Sequence, residues 1–179
     1  MEIVNILAQA IMYSVPAALV LLAVRSVLSL QIKKEQSTRE LQIRAEVLKQ
    51  NFPLRMAAYE RGVLFLERIS PQHIILRQPP TNQTAEQYHN ELNFTIRSEF
   101  EHNIAQQVYM TTHAWAALVA AKDKTLALIF NVLQELPANS NGFALANGII
   151  ESLREEEELP ETQQAILVLK EDTNSFFKL

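Results

Sequence analysis

The chain has 179 residues, with 48% hydrophobic, 20% charged and 7% aromatic side chains, a net charge of −4 and no cysteine. That composition excludes disorder, collagen and a disulfide scaffold. It equally excludes thiol catalysis and cysteine-ligated metal. A mean hydropathy of −0.02 suits a globular protein, but the average covers two unlike regions.

From Ile3 to Val24, 22 residues pass without Asp, Glu, Lys, Arg or His, and Asn5, Gln9 and Ser14 are the polar interruptions. A helix of that length covers about 33 Å, enough for a hydrocarbon core of about 30 Å. A cleaved signal peptide needs a basic start, whereas this chain opens Met1-Glu2. Pro16 lies mid-span and is expected to kink the helix. Arg25, Lys33 and Lys34 follow the span, and Glu2 precedes it. The positive-inside rule then places the N-terminus outside and the C-terminal bulk in the cytoplasm. Residues 1–32 are accordingly expected to be a membrane anchor. The apolar stretch at Ala114–Ala121 ends at Lys122-Asp123-Lys124 and is too short to be a second span.

Charge divides the same way. Lys33 to Arg77 carries nine Lys/Arg against five Glu, a net of +4, whereas Gln78 to the end carries six against fourteen, a net of −8. An anionic leaflet attracts the first region and repels the second. The acidic remainder argues against nucleic acid as a partner.

The rest predicts an all-α fold: a juxtamembrane helical stalk over 33–52 and a cytoplasmic bundle of five or six helices over 53–179. Three glycines in the whole chain and no alternating strand pattern support helices throughout. Leu41, Ala45, Leu48 and Phe52 form a stripe of two heptads in the stalk, short for a coiled coil with a second copy. Phe52-Pro53 is expected to restart the chain. A helix over 54–69 follows, with Met56, Tyr59, Val63, Leu66 and Ile69 on one face, stopping at Ser70-Pro71. After the loop Pro79-Pro80-Thr-Asn-Gln-Thr84, Thr84 and Gln87 have the spacing of a capping box. The helix they open is expected to carry Leu92, Ile96, Phe100, Ile104 and Val108 as one stripe. Thr111-Thr112 caps the next helix, which ends at Pro137. Further helices run from Phe143 to Leu159 and from Pro160 onward. The Phe176-Phe177-Lys178-Leu179 tail either folds back on the core or inserts into a partner.

Two Glu-x-x-His patterns, Glu86…His89 and Glu99…His102, are candidate metal ligands, because an i, i+3 spacing puts carboxylate and imidazole on one helical face. Both fall on one helix, about 20 Å apart, so they cannot share a dinuclear site. A solvated or ion-paired face is the plainer reading, with Glu99 and His102 the metal candidates if one exists. No phosphate loop, nucleophile elbow or other cofactor motif occurs. No catalytic residue and no cofactor is therefore assigned. The four consecutive carboxylates Glu155–Glu158 lie where a helix macrodipole disfavours them, either as a solvated helix end or as a dock for a basic partner.

The segments Ala58-Tyr-Glu-Arg-Gly-Val-Leu-Phe-Leu-Glu-Arg-Ile-Ser-Pro71 and Glu99-Phe-Glu-His-Asn-Ile-Ala-Gln-Gln-Val-Tyr109 resemble an uncharacterised family of small bacterial single-pass membrane proteins with a helical cytoplasmic region. The resemblance implies topology and a bacterial source, and no activity. Physically, both segments mix aromatic and charged groups on helices. Tyr59, Glu60, Arg61 and Arg68 are expected to meet Glu99, His102, Asn103 and Tyr109 in a polar layer or a partner-binding surface. The expected function is a membrane-anchored adaptor or assembly subunit whose partners are the lipid bilayer and other subunits or copies of itself. The alternative is a metal-dependent helical-bundle enzyme.

Overall fold

A computed structural model describes residues 2–155 and 158–176; the side chains of 2, 4–11, 13–18, 23, 37, 44, 48 and 155 fall outside the description. Its elements are α1 (Glu2–Ile69), α2 (Pro71–Arg77), α3 (Ala85–Asn103), a 3-10 turn (Ile104–Val108), α4 (Thr112–Glu135), α5 (Gly142–Glu155) and α6 (Glu161–Ser175). Among the described residues there is no strand, and a single backbone bridge pairs Thr84 with Asn141. The chain divides into two compact units, Met1–Asn51 and Phe52–Leu179.

The first unit is helical at its described residues and has no partner helix within it. Val24, Val27, Leu28, Leu30 and Ile32 are exposed there, as are Leu41, Ile43 and Val47. Among the described residues no helix is long and apolar enough to cross a membrane. Most side chains of the expected span, Pro16 included, lie outside those residues. The expected restart at Phe52-Pro53 is corrected: helix α1 continues through both residues. Its next break is Ser70-Pro71, where Pro71 takes the first position of α2, a place that needs no N–H donor.

The second unit holds the core. Tyr59, Phe65, Leu66 and Ile69 of α1 are buried with Ile74 of α2, Tyr88, Leu92 and Ile96 of α3, Leu118 and Ile129 of α4, Leu145 and Ile149 of α5, and Leu169 of α6. Helix α4 packs against α3, α5 and α6. Each fully buried aliphatic side chain contributes about 1.5–3 kcal/mol of transfer free energy.

The capping box at the start of α3 forms as its spacing predicts: Gln87 N–H donates to Thr84 Oγ1 at 3.2 Å, and Thr84 N–H donates to Gln87 Oε1 at 3.1 Å. Beyond it the expected stripe is corrected at its far end. Helix α3 stops at Asn103 and tightens into the 3-10 turn, leaving Ile104 and Val108 at 46% and 77% exposure. Three residues per turn move every later side chain off the α-helical face. Helix α2 occupies a stretch for which no helix is expected from sequence.

The turn before α5 contains Asn139, whose φ of 67° lies in the left-handed region that Asn tolerates better than most residues. Asn141 Oδ1 caps Ala144 N–H at 2.9 Å. Ala85 N–H donates to Ser140 O and Gly142 N–H to Gln83 O, both at 2.9 Å, so the loops opening α3 and α5 are tied to each other. A Cβ on Gly142 would sit 3.0 Å from Pro80 Cβ and 3.3 Å from Tyr88 Cβ. That close approach is why glycine stands there.

Candidate functional site

Two groups of polar side chains stand out in the second unit, one partly buried and one open. The partly buried group starts at Tyr59, 2% exposed on the inner face of α1. Its hydroxyl donates to Asp172 Oδ2 on α6 and accepts the backbone N–H of Thr111 at 3.1 Å. Thr111 Oγ1 donates to the same Asp172 oxygen at 2.6 Å and accepts Ala114 N–H at 3.2 Å, capping α4. The three residues close a ring in which one carboxylate takes two hydroxyl protons. Burial, and then the bond to Asp172, push the Tyr59 hydroxyl above its ordinary pKa of 10. Phe176 meets Tyr59 edge-on at 5.4 Å between ring centroids, and the Arg55 guanidinium lies 3.8 Å over the Phe176 ring. Arg55 Nε also donates to the Tyr109 carbonyl at 3.4 Å. The first residue of the expected tail thus packs on the core. The rest of the tail lies outside the described residues.

The open group lines a shallow groove between α1 and α3. Arg61, Leu64, Phe65 and Arg68 face Phe94, Thr95, Ser98, Glu99, His102 and Asn103 across it. Arg68 Nη1 reaches Glu99 at 3.2 Å, and Arg77 Nη2 approaches the other Glu99 oxygen at 3.9 Å. His102 Nδ1 donates to the Ser98 carbonyl at 2.6 Å, and Asn103 Nδ2 donates to the Glu99 carbonyl at 2.8 Å. Leu64 and Phe94 are 51% and 74% exposed along the groove. Arg61 is exposed and makes no hydrogen bond or ion pair among the described residues.

The expected polar layer is therefore distributed differently. Arg68, Glu99, His102 and Asn103 come together with Arg61, but at the surface. Tyr59 joins Thr111 and Asp172 instead. Glu60 is exposed with no partner among the described residues, and Tyr109 contributes its backbone carbonyl alone. Sequence reasoning misses Asp172 and gives Thr111 the role of a helix cap alone. They lie 113 and 52 positions from Tyr59, and nothing local signals the meeting.

Three of the four Glu-x-x-His residues, His89, Glu99 and His102, have other contacts. Glu99 is ion-paired with arginine. His89 faces the Phe130 ring at 6.1 Å and contacts Asn90 Oδ1 at 3.3 Å. Among the described residues no group of three or more His, Asp and Glu is arranged to hold a metal ion. Lys33 and Lys34 are exposed on α1, as is Arg25.

Comparison with known proteins adds one finding. Residues 5–176 match the model of DUF7935, a family of unknown function. The chain belongs to that family. The match runs through both units, so the N-terminal helix belongs to what defines it. No curated protein and no solved structure matches the chain.

Proposed function

We propose that this member of DUF7935 is a membrane-anchored helical adaptor or assembly subunit, working by protein–protein contact on the cytoplasmic face of a bacterial inner membrane. The observation that carries the reading is the run from Ile3 to Val24. It is free of charge over 22 residues and followed by Arg25, Lys33 and Lys34. A stretch of that length without charge matches a bilayer's thickness, and the flanking cations favour the cytoplasmic side. Left exposed to water, an apolar run of that length would be costly. The second unit suits an adaptor: a packed helical core that presents an open groove with charged and apolar walls.

The test is purification of the full chain from native membranes in mild detergent, with mass spectrometry of what accompanies it. The expected result is retention in the membrane after an alkaline wash and co-purification of other subunits or copies of the chain. A protein released by the wash, or one that leaves the membrane alone and monomeric, would overturn the reading.

A further inference from the structure

The groove between α1 and α3 brings arginines from the basic stretch of the chain against a helix of its acidic remainder. Arg61 and Arg68 line it opposite the single carboxylate Glu99, which Arg77 also approaches. From Gln78 onward the chain carries fourteen carboxylates against six Lys/Arg. Arg68 and Arg77 share Glu99, which leaves Arg61 uncompensated. Guanidinium groups on one helix face, seven residues and about 10.5 Å apart, suit a segment with more than one carboxylate. Leu64 and Phe94, both more than half exposed, suit an apolar residue beside those carboxylates.

The chain's one run of four consecutive carboxylates has such a neighbour, in Glu155-Glu-Glu-Glu158-Leu159. Glu158 is exposed and makes no ion pair among the described residues; Lys124, which lines the same depression as Glu158, is taken by Glu161. Leu159 is 54% exposed. Glu158 and Leu159 line this depression with Pro71, Lys124 and Leu153, and no residue belongs to both it and the groove. Glu158 and Leu159 thus lie apart from the groove, and the segment they close is opposite to it in charge.

We propose that the groove is the docking site for the Glu155–Leu159 segment of a second copy of this chain, with Arg61 and Arg68 taking its carboxylates and Leu64 and Phe94 taking Leu159. It rests on the adaptor reading and names the surface. A contact between two different patches is heterologous, so it propagates from copy to copy into a ring or a filament rather than stopping at a two-fold dimer.

The test uses the full chain in detergent micelles, with particle mass followed against protein concentration. The expected wild-type result is growth beyond the dimer. Self-association should weaken about tenfold when salt is raised from about 0.05 M to about 0.5 M, because these charges are exposed and screened. Two charge-reversed variants decide the matter: R61E with R68E, and all four of Glu155 to Glu158 changed to Lys. Each alone should lose self-association about tenfold or more, and an equal mixture should regain it, because each supplies the surface the other has reversed. A photoreactive residue placed at position 64 should crosslink to 155–161 of an isotopically distinct chain. Overturning results are wild-type masses for either variant alone, no recovery on mixing, a wild-type chain monomeric throughout, or crosslinks from position 64 to lipid or to another protein. These results would leave the adaptor reading standing, since that reading fails only if the chain leaves the membrane or leaves it alone.

Discussion

The ring of Tyr59, Thr111 and Asp172 and the pair Arg68–Glu99 are both contacts to a carboxylate between distant stretches of the chain, and they differ in solvent. In the ring, the Tyr59 side chain is sealed and both hydroxyls have partners. In the pair, the Arg68 side chain is 54% exposed and water competes for both ends. A satisfied buried network holds helices in register, and removing one member leaves the others without partners. An exposed ion pair is worth about 0–1 kcal/mol and is screened by salt. The ring should therefore fasten α1, α4 and α6, whereas the arginines of the groove stay available to another molecule.

Asp172→Ala tests the contrast hardest. It strands the Tyr59 and Thr111 hydroxyls together, and urea unfolding should show a loss of about 2–4 kcal/mol. Tyr59→Phe leaves Asp172 with Thr111 but orphans the Thr111 N–H, for about 1–2 kcal/mol. The double variant should cost less than the sum, because both changes break the same ring. If the two effects add, the ring is not a unit.

Alkaline pH provides a further probe. Burial raises the Tyr59 hydroxyl above 10, and burial followed by the Glu91 charge pushes Tyr88 up to about 12. Each folded value exceeds the unfolded one, so the unfolded chain loses these protons first. Their contribution is complete below pH 10 and is lost as pH rises through the folded values. The midpoint temperature should fall between about pH 10 and 12, and Tyr88→Phe should flatten that fall. A slope unchanged by the substitution would mean that other groups cause it. Arg68→Ala should have the smallest effect, about 0.5 kcal/mol, vanishing in about 1 M salt. A loss above 2 kcal/mol there would erase the distinction between the two regions.

Local signals are legible in the sequence where one segment suffices to satisfy itself. Thr84 with Gln87, Thr111 as a cap, and the breaks at Ser70-Pro71 and Pro137 concern groups within a few residues of one another. The inner face of α1 is legible from the spacing of Tyr59, Leu66 and Ile69. Pro53 misleads, since a helix can pass through proline when its surroundings override local propensity. The 3-10 turn after Asn103 misleads as well, because Ile104 and Val108 keep an α-helical spacing while the backbone does not. In the candidate site, the gathering of Arg61, Arg68, Glu99 and His102 can be foreseen from the helix faces that carry them. Asp172 cannot, because a single acidic residue on a mostly polar helix carries no mark of the hydroxyls it will meet.

The tie between the loops that open α3 and α5 bears on how the protein can be labelled. Surface loops ordinarily accept insertions, and 81–84 and 138–141 look suitable on exposure alone. Here Ser140 O and Gln83 O receive backbone protons from the opposite loop, and Gly142 lies against Pro80 and Tyr88. A fluorescent domain or epitope inserted at either place would pull both helix starts away from each other. The exposed 3-10 turn at Ile104–Val108, with no buried residue, is the better graft site for a reporter.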